Sequence, residues 1–150
     1  MGYNPAFRGK VSDGSSRQTQ TGYLNGTLIT MPIASPVSVN SAGNMVLLDV
    51  TSETSVQGLI GLTSIACPSA ATGLVCNAGR LEGITLGGFS VGDAIYAGQT
   101  PGALTNVKPD LAVSGWVGGM FVVFFGVYVI NQFDPGLHDI QLMPTVVGQL

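Results

Sequence analysis

A long run without a charged side chain, from Leu111 to Phe133, constrains the fold of this chain more than any other feature. Its centre reads GMFVVFFGVYVI and is rich in β-branched and aromatic residues, which favour strands. We predict that Met120 to Ile130 forms the most buried strand. A chain of 150 residues has little material to cover such a run. The run therefore predicts burial against copies of the chain or against a large assembly.

The composition favours an all-β fold. Charged residues make up 9% of the chain, against roughly 25% in a typical globular domain. Helix surfaces normally carry Glu, Lys and Arg, whereas this chain offers Gly, Ser, Thr, Asn and Gln. We expect a compact antiparallel β-barrel or β-sandwich. The uncharged edges of such a sheet would pair with other chains, so an oligomer is expected and a plain monomeric β domain is the alternative.

The N-terminal residues differ from the rest of the chain. Residues 1–22 are polar and lack periodicity, and we interpret them as an extended arm before a β domain at residues 23–150. Three of the five basic residues lie in this arm, beside two isolated aromatic residues. The arm residues predicted to dock on a partner are Tyr3, Phe7, Arg8, Lys10 and Arg17. A disordered tail is the alternative.

Two segments of the predicted β domain share an order of elements. VSVNSAGNMVLLDVTSETSVQGLIGL begins at Val37, and VGDAIYAGQTPGALTNVKP, followed later by FVVFFGVYV, begins at Val91. Each reads as strand, glycine turn, strand, polar turn, and strand with a central glycine. In the first segment we predict a turn at Thr51–Ser55, then a strand at Val56–Ile65 with a bulge or close backbone approach at its glycines. The echo is consistent with a duplicated hairpin but is too loose to be diagnostic.

The residues with catalytic or metal-binding chemistry are few and scattered. The only histidine, His138, follows a Pro-Gly turn and is predicted to face solvent in a loop. Cys67 and Cys76 match no zinc spacing, and no phosphate-binding or nucleophile motif is present. We therefore predict no catalytic residue, metal or cofactor. The enzyme alternative, a hydrolase of cell-wall glycans, would have to use the two glutamates, Glu53 and Glu82.

Other side chains are given structural roles. We see no signal peptide, expect synthesis in a reducing cytoplasm, and predict that both cysteines are free, buried thiols. Asp93 is predicted to cap a turn by accepting backbone N–H bonds. Arg80 and Glu82 lie two apart on one strand face, which is either solvated or engaged in an ion pair between subunits.

Charge and hydropathy exclude two classes of partner. The net charge is -3 and the isoelectric point about 4.7, whereas nucleic-acid-binding domains are normally basic. The run from Leu111 to Phe133 is long enough to span a bilayer as a helix. Glycines interrupt it, however, and its immediate flanks are the acidic residues Asp110 and Asp134 instead of a Lys or Arg stop signal. We predict no nucleic acid and no membrane among the partners.

A block in the second half of the chain resembles a known class of virion protein. It reads GFSVGDAIY at Gly88–Tyr96, then PGALT at Pro101–Thr105, then the strand containing Gly126 and Val127. This pattern resembles small capsid decoration (cement) proteins and head-fibre proteins of tailed bacteriophages. The resemblance implies a tulip-like β-barrel that trimerises on the virion, and it implies no catalytic residue. The N-terminal arm departs from the minimal decoration domains, which leaves open where in the particle the protein lies.

The resemblance leads to a specific expectation of function. We expect a homotrimer on the capsid surface that bridges subunits of the major capsid protein after assembly in the host cytoplasm. A neck or tail fibre, or an adaptor protein, is the alternative. Aromatic residues of the uncharged run are predicted to form the oligomer interface. These are Trp116, Phe121, Phe124, Phe125 and Tyr128.

Overall fold

The computed structural model describes residues 19–150, which form nine β-strands and one short helix. The strands are β1 (Thr19–Leu24), β2 (Pro36–Val39), β3 (Met45–Leu47), β4 (Leu59–Thr63), β5 (Thr72–Leu81), β6 (Ala94–Ala97), β7 (Leu104–Thr105), β8 (Phe121–Ile130) and β9 (His138–Gln149). The helix α1 (Glu53–Gln57) connects β3 to β4. Residues 19–22, which the sequence assigned to the arm, lie in β1.

The strands form one antiparallel sheet in the order β3-β2-β4-β5-β9-β8-β6-β7, with β1 paired to β5. The all-β prediction is confirmed. The sheet is not closed, because β3 and β7 at its two ends do not pair with each other in the described part of the chain. Two backbone hydrogen bonds nevertheless join the two halves of the chain. Gly102 N donates to Leu48 O at 3.2 Å, and Phe121 N donates to Val50 O at 2.9 Å.

The structure contains a repeated three-stranded unit. We call β2–β4 the first repeat and β6–β8 the second; in each, the first strand lies between the other two. The registers also agree, and each shifts by one residue at the same place. The matching pairs are Val37–Gly61 with Ile95–Gly126, and Ser38–Leu59 with Tyr96–Phe124. The echo in the sequence is therefore a structural duplication.

Two glycines occupy equivalent positions in the repeats. Gly61 and Gly126 both have φ +147°. A Cβ atom at Gly61 would overlap the backbone carbonyl oxygen of Cys76, and one at Gly126 would overlap that of Gln141. Only glycine permits both this φ and so close an approach of two backbones. The predicted bulge or close approach is confirmed at Gly61.

Most of the apolar interior is one cluster that draws on both halves of the chain. From β8 it contains Val123, Phe125 and Tyr128, which are 0%, 0% and 1% exposed. From the first half it contains Leu62 and other buried aliphatic residues. The uncharged run is thus covered on its inner face within a single chain, without any other copy.

A smaller cluster lies at the opposite face of the first repeat. It consists of Met31, Val37, Met45, Cys67 and Val75. Both cysteines of the chain are free and buried, as predicted. Burial raises the pKa of the Cys76 thiol, and a hydrogen bond to the Ala78 carbonyl partly opposes this.

The predicted turn at Thr51–Ser55 is wrong in its second half, where α1 begins. Ser52 is the N-cap residue, and its side chain accepts a hydrogen bond from Ser55 N at 3.3 Å. Asp49 N donates to Ser55 Oγ at 2.9 Å, which fixes the helix to the end of β3. Val56 is 3% exposed because the helix turns it into the larger cluster. The strand predicted from Val56 therefore begins only at Leu59.

Candidate functional site

The structure separates the predicted interface residues into two groups. Trp116, Phe125 and Tyr128 are 5%, 0% and 1% exposed and belong to the larger core cluster. Their side chains contact the chain's own interior, so this conformation does not present them to a partner. Phe121 and Phe124 are half-buried. Phe124 also contacts Tyr96 edge to face, with ring centroids 5.6 Å apart.

The predicted arm residues Tyr3, Phe7, Arg8, Lys10 and Arg17 lie outside the described residues. Their role in docking on a partner therefore stays a prediction. The described chain begins at Thr19 in β1, which pairs with β5 from Thr19–Ala78 to Leu24–Thr72.

The most polar buried site surrounds Asp139, which is 1% exposed. Its Oδ1 accepts hydrogen bonds from Asn131 Nδ2 at 2.9 Å and from Gly83 N at 3.1 Å. Its Oδ2 lies 3.0 Å from Arg80 Nε, an ion pair in which the N–H is not aligned for a hydrogen bond. Arg80 Nη2 also donates to Ile130 O at 3.3 Å. Arg80 is thus paired within its own chain, which corrects both alternatives for this residue.

Tyr128 and His138 continue this polar site. Their rings stack with centroids 4.9 Å apart. The Tyr128 hydroxyl donates to Ile84 O at 3.2 Å and accepts from Leu86 N at 3.1 Å. His138 O accepts a hydrogen bond from Ile84 N at 2.8 Å. The predicted loop position of His138 is therefore wrong: it is the first residue of β9, half-buried, and helps to fix the segment after β5.

Asp93 has the turn-capping role that its sequence context predicted. Its Oδ2 accepts a hydrogen bond from Asn106 Nδ2 at 2.8 Å and one from Ser90 N at 2.9 Å. These two bonds, the Asn106 bond first, lower the pKa of the Asp93 carboxyl group. The exposed carboxylate joins the turn before β6 to the segment after β7.

Two shallow cavities lie at equivalent hairpins of the two repeats. The cavity of about 280 Å³ lies between residues 38–41 of the first hairpin and Ser52, Thr54 and Ser55. The cavity of about 230 Å³ lies between residues 98–105 of the second hairpin and Trp116. Neither is lined by a titratable side chain, so neither offers acid–base chemistry.

Residues 19–150 lack two further kinds of feature. No three His, Cys, Asp or Glu side chains of this part of the chain are grouped so that they could hold a metal ion. No helix within it has the length and apolar character needed to cross a membrane.

No protein-family model, no curated protein and no solved structure matches this chain. The feature that remains after the core and the polar site are explained is a surface with many exposed apolar side chains. Leu28 is 96% exposed, Phe133 is 68% exposed and Met143 is 63% exposed. These side chains are among the apolar groups that the folded chain leaves exposed.

Proposed function

We propose that this chain is a structural virion protein that decorates and stabilises a phage capsid by bridging subunits of the major capsid protein as a homotrimer. The observation that carries this proposal is the combination of a rigid β framework with exposed aliphatic side chains and very few charges. A free monomer with this surface would be prone to association. An assembled subunit covers such surfaces.

The resemblance to decoration proteins lies in a part of the chain that is held by strand pairing and a capped turn. The block Gly88–Tyr96 contains the turn that Asp93 caps and all of β6 except its last residue. Phe121 and Phe124 at the surface of β8 are the predicted interface residues that remain accessible to another copy. Decoration requires binding and no chemical step. The proposal is accordingly that the protein is not an enzyme.

A trimer would bind the capsid more strongly than a single copy, because it binds at several points at once. Three copies held in one trimer present three arms, and binding of the first raises the effective concentration of the others. Arg8, Lys10 and Arg17 would contact acidic capsid surface. The same chemistry fits a neck or tail fibre or an adaptor, which is the second candidate because binding by oligomeric β surfaces is common to both.

The first experiment is the mass of the purified full chain by light scattering without detergent. A mass near three times the chain mass of 15.4 kDa is the expected result. A monomer at all concentrations would contradict the homotrimer. The location is tested by labelling purified particles of the encoding virus with an antibody against the chain. Label over the head supports decoration, label at the neck or tail supports the alternative, and unlabelled particles contradict both.

A further inference from the structure

The loop after β1 is built around one buried amide. Asn25 is 1% exposed. Its Nδ2 donates to Ile29 O at 2.9 Å, to Cys67 O at 3.0 Å and to Pro68 O at 3.2 Å. Its Oδ1 accepts from Thr27 N at 2.9 Å and from Thr27 Oγ1 at 2.7 Å. A single side chain therefore holds the loop to the segment before β5 and fixes its conformation.

Further bonds attach both ends of this loop. Ser69 Oγ donates to Thr27 O at 2.6 Å. Met31 and Cys67 exchange two backbone hydrogen bonds, each of 2.9 Å. Thr63 N donates to Ser35 O at 3.0 Å, so two segments run antiparallel here. Ile33 and Ile65 lie between these two contact points, one on each segment.

This rigid framework displays apolar side chains instead of burying them. We call Leu28, Ile29, Ile33 and Ile65 the apolar end; they are 96%, 52%, 46% and 47% exposed. The buried hydrogen-bond network around Asn25 keeps the backbone that carries Leu28 and Ile29 in one conformation. A preordered apolar surface loses little conformational entropy on binding, which favours a docking role.

The surroundings of the apolar end show which partner fits it. Neither residues 19–48 nor residues 54–79 contain a charged side chain or a histidine. A contact with a different, charged protein would be guided by complementary charges, and these two stretches offer none. At a symmetry axis, by contrast, each side chain meets its own image, and any charge there would repel itself. A charge-free apolar end suits a contact with its own copies.

We propose that the apolar end lies on the symmetry axis of the homo-oligomer and packs against the apolar ends of the other copies. The proposal rests on the self-association proposed above and identifies the surface responsible. It places the axis at the loops that flank the first repeat, whereas the sequence predicted the oligomer interface at the aromatic residues of the uncharged run. The inner face of β8 is already covered by the chain's own core.

The test compares two opposite charges at one position. Leu28→Asp and Leu28→Lys are each introduced into the full chain, and the mass is followed by light scattering over a range of concentrations. Both variants bring like charges together at the axis, so both raise the dissociation constant at least tenfold, or about 1.4 kcal/mol. Leu111→Asp and Leu111→Lys are the matched controls, since Leu111 is 61% exposed in the loop between β7 and β8. The controls keep the wild-type mass.

The outcomes separate this inference from the proposed function. If the wild-type chain is a monomer, the result contradicts both the homotrimer and the proposed axis. A trimeric wild-type chain whose two Leu28 variants remain trimeric overturns only the axis. Dissociation by Leu28→Asp but not by Leu28→Lys also overturns it, because an unlike, acidic surface would then face Leu28. Ile65→Asp serves as a second variant on the neighbouring segment, and far-ultraviolet circular dichroism verifies that each variant is folded.

Discussion

Replacing the two equivalent glycines by alanine tests the duplication and its energetic basis together. Gly126 has φ +147°, a region that is essentially restricted to glycine, so alanine there costs about 1–3 kcal/mol. The new Cβ would also overlap Gln141 O, which forces β8 away from β9. Losing the two ladder hydrogen bonds on either side costs roughly 1 kcal/mol each. We expect Gly126→Ala to lower the free energy of unfolding by about 3–5 kcal/mol, a large part of the stability of a typical domain.

Gly61→Ala should have nearly the same effect, because Gly61 has the same φ and meets Cys76 O in the same way. Two glycines serve as controls. Gly119 has φ +94°, but a Cβ at this position would have no neighbouring atom within 4 Å, so Gly119→Ala carries only the conformational cost. Gly148 in β9 has neither constraint, so Gly148→Ala should be neutral or slightly stabilising.

The assay is urea denaturation followed by the fluorescence of Trp116, the only tryptophan, which is 5% exposed in the folded chain. All variants are measured at one protein concentration, since association would shift the apparent stability. If Gly126→Ala destabilises no more than Gly119→Ala, the close approach of the β8 and β9 backbones at Gly126 does not contribute to the loss of stability. If Gly61→Ala and Gly126→Ala differ by several kcal/mol, the two repeats are not equivalent.

Three further predictions concern the polar residues and a thiol. Asp139→Ala leaves Arg80 without its buried partner and should lower the free energy of unfolding by about 3 kcal/mol in urea denaturation; an unchanged midpoint would contradict the role of the ion pair. Asn106→Ala should raise the pKa of Asp93, measured by NMR titration. Because the folded-state pKa of Asp93 is lowered, its contribution to stability is present above the unfolded-state pKa and is lost as the pH falls through the folded-state value. The variant should lose part of this acid dependence, whereas an unshifted pKa would show that the Asn106 bond is not responsible. The Cys76 thiol should react slowly with a thiol reagent at neutral pH in the folded protein and quickly in denaturant; immediate labelling of folded protein would contradict its burial.

Strand β8 shows which features could be predicted from the sequence. The prediction of a strand at Met120–Ile130 agrees with β8 at Phe121–Ile130. The signal is local, because β-branched and aromatic residues favour extended backbone wherever the strand lies. The echo between the two repeats was also visible in the sequence, since glycines at turns and at strand centres recur in the same order in both segments.

Features that depend on distant residues were not predicted. Arg80 and Asp139 are far apart in the chain, and only the pairing of β5 with β9 brings them together. The short helix α1 was missed because Ser, Thr and Val are poor helix formers, and its N-cap bond and the burial of Val56 stabilise it. A proline normally interrupts a strand, yet β9 continues past Pro144, because Pro144 lies where the register with β8 shifts.

The sequence by itself determined that this chain is all-β and poor in charge, because composition and turn residues act locally along the chain. It only suggested the internal repeat, which the matching strand registers established. Alternation along a strand shows that one of its faces is apolar but does not show what covers that face. The tertiary structure decided this point: Phe125 and Tyr128 pack inside a single chain, while Leu28 and Ile29 are held at the surface by the buried Asn25 side chain. Long-range contacts determine burial, and they arise only when the sheet has formed.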